Sequence, residues 1–141
     1  MTIIHDSIHL CTEGDCDVHD VTREVETLVA ASSVTLGLVT ISVASSTAAV
    51  TTCEFEPGMV RDLQRIFEQL IPRGTQWAHN STWGDANGHS HLRASLVGPS
   101  LSLPIVGSRV QRGTWQQIVV IDFDNRPRDR AVSVVVMGDA T

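Results

Sequence analysis

Residues 100–137 read SLSLPIVGSRVQRGTWQQIVVIDFDNRPRDRAVSVVVM, and this stretch decides the fold class. Its apolar and β-branched residues are grouped into short runs, and the segments between the runs carry residues that favour turns. Strands are predicted over residues 100–106, 115–123 and 131–137, with turns at 107–108 and 125–128. Because short turns join the strands, we expect an antiparallel meander in this part of the chain.

The first hundred residues add helices to this β-rich pattern. Strands are predicted over residues 4–10, 34–43 and 47–52. Apolar residues at helical spacing predict one helix that starts at Asp17 and a second that runs from Pro57 to Pro72. A further helical turn or two is predicted over 91–96. The pattern indicates an α+β domain with antiparallel sheets and two to three helices, and a small βαβ unit around the first helix stays open.

Composition limits the class of protein. The chain has 141 residues, of which 42% are hydrophobic and 18% charged, so we expect a single domain over residues 1–141. The chain begins without a basic segment that leads into an apolar one, and its apolar runs are short. We therefore expect a cytoplasmic protein without a membrane partner. The net charge of −6 and the lack of a basic stripe argue against nucleic-acid binding.

Histidines cluster in a long loop predicted over residues 73–90, which is rich in Gly, Asn and Trp, and at its end. Trp77, His79, Trp83, Asp85, Asn87, His89 and His91 all lie here. Neutral imidazoles together with Asp and Asn oxygens suit a metal or phosphate site, and a solvated loop is the alternative. His89 and His91 point to one side if this segment is a strand, but they diverge by about 200° if it is a helix.

Carboxylates, aromatic residues and arginines supply further candidates. Glu54 lies between a predicted strand and a predicted helix, where it acts either as a base or cation ligand or as a helix cap. Thr114, Trp115 and Gln116 can form a wall for a flat ring, although Trp115 also suits a core position. Among the arginines, 126, 128 and 130 favour a solvated hairpin tip. Arg93, Arg109 and Arg112 are better candidates for binding an anion.

Several of these segments together resemble one family. They are STAAVTTCE (46–54), EPG (56–58), NGHSHLRASLVGPS (87–100), LPI (103–105), GTWQQI (113–118) and IDFDNRPR (121–128). In this order they are similar to the YjbQ-like family, also called the secondary thiamine-phosphate synthase family. The resemblance covers nearly the whole chain and is specific as a set, although no single segment is.

The resemblance implies a fold, an assembly and an activity. The implied fold is a small YjbQ-like β-sandwich that forms a homotrimer. The implied activity is a weak, metal-dependent joining of a pyrimidine diphosphate to a thiazole phosphate with release of pyrophosphate. The implied cofactor is a divalent ion, Mg or Zn, and the implied ligand is a small-molecule phosphate or diphosphate. The alternatives are a non-catalytic trimer that binds a metal or small anion, and a structural module without a ligand.

The resemblance also assigns roles to residues. It places Glu54, His79 and His91 in catalysis, and Trp115 would stack on the pyrimidine ring. The expected metal ligands are His79, Asp85, His89 and His91. The expected substrate-binding residues are Ser45, Thr47, Asn87, Arg93, Arg112, Thr114, Trp115 and Gln116. One departure concerns Ser45, because the family strand usually has a histidine there, and a hydroxyl replaces imidazole neither as metal ligand nor as proton shuttle.

Overall fold

The computed structural model describes residues 1–140. Its strands are β1 (Thr2–Thr12), β2 (Asp17–Asp20), β3 (Leu36–Val43), β4 (Ala48–Cys53), β5 (Ser100–Val106), β6 (Arg109–Val110), β7 (Gln117–Asp122) and β8 (Arg128–Asp139). Its helices are α1 (Thr22–Ala31), α2 (Pro57–Leu70), α3 (Asn80–Trp83) and α4 (Gly88–Val97). Within this range no helix is long and apolar enough to cross a membrane.

Two antiparallel sheets form the framework, which confirms the predicted α+β class. One sheet has five strands in the order β1-β8-β3-β5-β6, and the other has three in the order β2-β7-β4. The predicted meander is wrong, because β5 pairs with β3 while β7 lies between β2 and β4 in the other sheet. The βαβ alternative is also wrong, because α1 joins strands of different sheets.

The main core lies between the inner faces of the sheets and α1. Val39, Ile41 and Val43 alternate along β3 and are buried, whereas Leu36 and Leu38 on the opposite face are exposed. Burying a branched side chain of this size contributes roughly 1.5–3 kcal/mol. The period of two therefore fixes which face of β3 points into the core.

Helices α2 and α4 cover the outer face of the three-stranded sheet. Phe67 of α2 meets Phe123 edge to face, with ring centroids 4.8 Å apart. Helix α2 begins at Pro57 as predicted, because the Glu56 carboxylate accepts hydrogen bonds from the backbone N–H groups of Gly58 and Met59. Glu56 caps this helix, so the capping role considered for Glu54 belongs to its neighbour.

Two helix boundaries differ from the prediction. Residues 17–20 form strand β2, and the first helix begins only after Asp20, whose carboxylate accepts the backbone N–H of Thr22 at 2.9 Å. Helix α4 spans ten residues instead of the one or two turns predicted over 91–96. Helical spacing therefore located both helices, but pairing with β7 overrides it at residues 17–20.

A pair of facing glycines lets β3 and β8 approach closely. Gly37 lies directly opposite Gly138 in the register of the two strands. A Cβ atom on Gly37 would lie 2.1 Å from the carbonyl oxygen of Met137, and one on Gly138 would lie 2.2 Å from that of Leu36. Only glycine fits at both positions, so this pair permits the close approach of β8 to β3, the central strand of the sheet.

Candidate functional site

A polar cavity of about 440 Å³ lies where β8 begins, beside the residues that precede β4 and α4. Its walls come from four separate segments of the chain. The residues that line it are Ala44, Ser45, Ser46, Thr47, His79, Trp83, Asp85, Asn87, His91, Asp124, Arg128 and Arg130. We call it the histidine–arginine pocket. A larger cleft of about 570 Å³ between β1 and α1 holds only one histidine and one arginine.

Two imidazole rings meet in this pocket. His79 precedes α3 and His91 lies in the first turns of α4, yet their ring centroids are 4.2 Å apart with planes tilted by 38°. Gly88 allows this approach, because a Cβ atom there would lie 2.8 Å from both Asn80 Oδ1 and Trp77 Cβ. The same Asn80 oxygen accepts the Gly88 N–H at 2.9 Å, which ties the two helices together.

The environment of the pair favours neutral imidazole at His91. Burial lowers the pKa of His91 below its ordinary value, and the neighbouring His79 lowers it further, whereas Asp124 and Asp85 oppose the change. Because the folded-state pKa is lowered, the neutral ring contributes stability at a pH above the unfolded value. That contribution is lost as the pH falls through the unfolded and then the folded value.

Replacing His79 by Gln is expected to raise the pKa of His91, because the repulsion from a second imidazolium disappears while Asp85 and Asp124 remain. An NMR titration of the His91 ring protons in both chains measures this. His9→Gln, on β1 and outside the pocket, is the matched control and should leave the titration of His91 unchanged. A pKa of His91 that stays the same or falls in His79→Gln would contradict the described contact.

Two carboxylates and two guanidinium groups form a buried network behind and along one wall. Asp122 and Asp124 are 0% and 1% exposed. Arg128 Nε donates to Asp124 Oδ2 at 2.8 Å, and Arg130 Nε donates to Asp122 Oδ2 at 2.7 Å. Although burial opposes it, the Asn125 N–H and Arg128 hold the pKa of Asp124 below its ordinary value. The four charges balance, which is how such groups tolerate burial.

The network leaves arginine N–H groups for a ligand. Within residues 1–140, Arg128 uses only Nε in hydrogen bonds, so both of its terminal nitrogens remain. Arg130 uses Nε and Nη2, and Nη1 remains. Both side chains line the pocket and are partly buried. A partly buried guanidinium with free terminal N–H groups is suited to bind phosphate or carboxylate oxygens.

Small polar groups complete the walls. Ser45 Oγ accepts the backbone N–H of Thr47 at 3.1 Å, and the Thr47 hydroxyl donates to Asp124 Oδ2 at 3.2 Å. Asn87 is 5% exposed, and its amide nitrogen donates to Asp124 Oδ1 at 3.5 Å. The Asn87 amide oxygen and His79 Nδ1 are buried, and neither has a partner among residues 1–140.

Six of the residues singled out from the sequence line the pocket: Ser45, Thr47, His79, Asp85, Asn87 and His91. His89 does not. Because the segment is helical, His89 and His91 diverge, and His89 is 1% exposed and lies near Arg93 and Arg73. Burial lowers the pKa of His89, with these two arginines adding to the effect. The expected His89 ligand is therefore on the wrong side of α4.

Glu54 and the Trp115 segment lie at the other end of the sheet. Glu54 follows the last residue of β4, whereas Thr47 precedes the first, and six strand residues separate them by roughly 20 Å. Trp115 is 69% exposed, and Gln116 donates to Thr52 Oγ1 at 3.3 Å. The Thr114 carbonyl accepts a hydrogen bond from Gln117 at 2.9 Å. Within one chain these residues do not reach the pocket.

Of the three arginines considered for an anion, Arg109 lines a different cleft, and Arg93 and Arg112 are engaged elsewhere. Arg93 is 2% exposed, and it donates to the Ile71 carbonyl and to Glu68 Oε2 at 2.7 Å. Arg112 donates to Glu26 Oε1 at 2.9 Å. Both therefore bridge structural elements instead of facing the cavity. Arg128 and Arg130, interpreted from the sequence as hairpin-tip residues, take their place in the pocket wall.

The expected metal site is not assembled within the chain. Across residues 1–140, no three His, Cys, Asp or Glu side chains are grouped so as to hold a metal ion. His79, His91 and Asp85 share the pocket without forming such a group. Asp124 is committed to Arg128, Asn125 and Thr47. The donor set therefore does not fit a resident divalent ion as it stands.

Sequence reasoning assigned no role to Trp83, and it missed Asp124, Arg128 and Arg130 as pocket residues. Arg128 and Arg130 are two apart, so they share a face of β8, and Asp122 and Asp124 have the same spacing before the turn. This alternation of acids and bases around 125–127 was the available signal. Trp83, 79% exposed at the edge of the pocket, offers a flat apolar surface to a ligand.

Comparison with known proteins places the chain in a family. Residues 6–139 match the model of the family described as UPF0047 protein YjbQ-like. A UPF0047 protein of Archaeoglobus fulgidus is 34% identical over 125 residues, covering 89% of this chain and 94% of the relative. A UPF0047 protein of Methanothermobacter thermautotrophicus is 30% identical over 138 residues, covering 98% and 94%.

Solved structures agree. A Sulfolobus solfataricus protein described as YbjQ-like and of unknown function superposes with a TM-score of 0.92 at 31% identity, covering 97% of this chain and 98% of that one. A hypothetical protein of Aeropyrum pernix gives a TM-score of 0.89 at 34% identity, covering 96% and 99%. With these matches over nearly its full length, the chain belongs to the YjbQ-like UPF0047 family.

Proposed function

We propose that the histidine–arginine pocket binds the phosphate or diphosphate group of a small molecule. One observation carries this proposal: two partly buried arginines, which keep terminal nitrogens without a partner among residues 1–140, line one cavity together with a pair of imidazoles. Arginine N–H groups bind phosphate oxygens with charge-assisted hydrogen bonds. The cavity of about 440 Å³ is also in the range of small-molecule sites.

The charge balance of the walls defines what the histidines contribute. Asp122 and Asp124 neutralise Arg128 and Arg130, so the charge in the pocket near neutral pH depends on the imidazoles and Asp85. A protonated ring of the His79–His91 pair adds a positive charge and a proton donor beside a bound phosphate. Such a group protonates a leaving oxygen in general acid catalysis.

The finer proposal is that the chain joins a pyrimidine diphosphate to a thiazole phosphate and releases pyrophosphate. Arg128 and Arg130 would neutralise the charge that builds up on the departing pyrophosphate, which is the main demand of such a step. No step is assigned to a metal ion, because the side chains within 1–140 do not form a site for one.

A synthase assay tests this activity. Purified protein is incubated with both precursors, with and without Mg²⁺, and thiamine phosphate is quantified. We expect product from the unaltered chain, a loss of at least about tenfold in His91→Gln, and no change in Glu54→Gln, because Glu54 lies outside the pocket. No product above a protein-free blank would refute the activity, and equal product from the unaltered chain and from His91→Gln would show that it does not depend on this pocket.

A second candidate is a binding protein without turnover. Ser45 favours it, because this hydroxyl lines the pocket where the family strand usually carries a histidine. Stabilisation of the chain against heat by pyrophosphate, combined with no product in the assay, would support binding alone. Product formation above the His91→Gln control would exclude it.

We also propose that the chain assembles as a trimer through the outer face of the five-stranded sheet. No helix of the described chain covers this face, because α2 and α4 pack on the other sheet. Its exposed apolar residues are Ile3, Leu36, Leu38, Val106 and Met137. Strand register places Leu36 beside Val106, and it places Leu38 beside Met137. A contiguous apolar patch of this kind marks a protein–protein interface.

A further inference from the structure

One buried carboxylate stands behind the pocket wall without lining it. We propose that Asp122 is a positioning residue, which fixes the guanidinium of Arg130 so that Nη1 faces the ligand. The inference rests on the proposed function for the identity of the ligand. The role of Asp122 is to set the geometry of the Arg130 guanidinium that binds this ligand.

The contact between the two side chains has the geometry of a fork. Asp122 Oδ2 accepts from Arg130 Nε at 2.7 Å, and Oδ1 accepts from Nη2 at 3.1 Å. Two parallel bonds define the plane and the rotation of a guanidinium, whereas one bond does not. Since Asp122 is fully buried and Arg130 is 13% exposed, water does not compete for these bonds.

The carboxylate is itself held from two sides. The Thr12 hydroxyl donates to Oδ2 at 2.6 Å, and the backbone N–H of Asp124 donates to Oδ1 at 3.0 Å. Thr12 belongs to the five-stranded sheet and Asp122 to the three-stranded one. Each oxygen thus has a donor besides Arg130, so the carboxylate does not rotate freely.

The outer side of Arg130 is what remains for a ligand. Nη2 also donates to Thr47 Oγ1 at 2.9 Å and lies 3.6 Å from Asp124 Oδ2. Nε and Nη2 are thereby saturated. Nη1 has no hydrogen bond to any residue from 1 to 140, and the side chain lines the cavity. If the two hydrogen bonds between Arg130 and Asp122 are lost, Nη1 loses its fixed direction.

The positioning role and a purely electrostatic role predict opposite signs. Asp122→Asn removes a negative charge from behind the pocket, and by Coulomb attraction alone this strengthens binding of an anion. If Asp122 positions Arg130, the same change weakens binding, because the amide offers only one acceptor and the fork opens. The direction of the change in affinity therefore separates the two roles.

The experiment combines a double-mutant cycle with a direct view of Arg130. Affinity for inorganic pyrophosphate is measured by calorimetry in the unaltered chain, Asp122→Asn, Arg130→Met and the double variant. We expect Asp122→Asn to weaken pyrophosphate binding about tenfold in the otherwise unaltered chain. In a chain that already carries Arg130→Met, the same change should weaken binding less than about twofold. Thr12→Val keeps the carboxylate but removes one anchor, so a loss of about threefold is expected even if Asp122→Asn folds poorly.

NMR of the arginine Nε–H groups provides a readout that needs no ligand. The Arg130 signal is assigned by its loss in Arg130→Met, and we expect slow exchange with solvent that becomes fast in Asp122→Asn. Unchanged exchange, tighter pyrophosphate binding in Asp122→Asn, or an equal effect in the Arg130→Met background would each overturn the inference. If the unaltered chain does not bind pyrophosphate, the proposed function fails, and the exchange rate still decides the positioning role.

Discussion

Replacing Arg128 by Met is expected to weaken pyrophosphate binding by about 10- to 100-fold, because charge-assisted hydrogen bonds contribute roughly 1.5–3 kcal/mol each to association. Arg128 lines the cavity and binds Asp124 only through Nε, so its terminal nitrogens have no partner among residues 1–140. Met keeps much of the apolar length of the side chain while removing the charge. Calorimetric titration at neutral pH measures the change.

Arg126→Met is the matched control for this variant. Arg126 lies in the same turn, is exposed and does not line the pocket, so the net charge changes equally without loss of a ligand contact. Asp124 loses an ion pair in Arg128→Met, and a drop in stability is therefore expected, measured separately by thermal unfolding. Equal affinities in the two variants, with both chains folded, would show that only overall charge attracts the anion.

If the chain forms the proposed trimer, replacing Leu38 by Glu is expected to convert it to a monomer. Leu38 is 44% exposed near the middle of the uncovered sheet face, where Pro104 and Met137 flank it in the register. A carboxylate placed there in three symmetry-related copies would be buried without a partner, which costs far more than the apolar contact contributes. Sedimentation equilibrium measures the mass, which should fall from threefold the 15.3 kDa of one chain to a single copy.

Leu96→Glu makes the same chemical change on another surface. Leu96 is 70% exposed on α4, outside the sheet face, and its variant should remain trimeric. If Leu38→Glu remains a trimer, or if Leu96→Glu dissociates, the interface lies on the helices and not on the sheet face. A monomeric unaltered chain would refute the assembly altogether.

The histidine cluster shows which part of the site local sequence patterns predict. The spacing of His89 and His91 predicts divergence in a helix, and the segment is helical, so only His91 joins His79 in the pocket. The contact between His79 and His91 depends on Gly88 and Asn80, which bring two helices together across a short turn. Local periodicity describes each helix but not the angle at which two helices meet.

Residue spacing does not predict the burial of the arginine–aspartate network, for a different reason. Arg128 and Arg130 look like solvated turn residues because charged residues near a turn usually are. Their burial depends on Asp122, the last residue of β7 in the other sheet, and on Asp124, which follows two residues later. The turn at 125–127 brings each arginine near its aspartate, but the burial of these charges follows from the packing of the two sheets, which local patterns do not define.

Glu54 shows what a resemblance leaves undefined within one chain. The resemblance placed it in catalysis together with His79 and His91, and sequence alone gives no distance between the ends of a strand. Since Glu54 follows β4 and Thr47 precedes it, a single strand separates the carboxylate from the pocket. The buried acid that faces the imidazole pair is Asp124.

A crystal structure of the protein soaked with tungstate, an electron-dense analogue of phosphate, tests the central claim most directly. Anomalous scattering locates the anion without reference to any assay. We predict a tungstate ion within hydrogen-bond distance of the terminal nitrogens of Arg128 and beside the ring of His79 or His91. An anion bound only at other arginines, such as Arg73 or Arg109, with the pocket holding none, would contradict it.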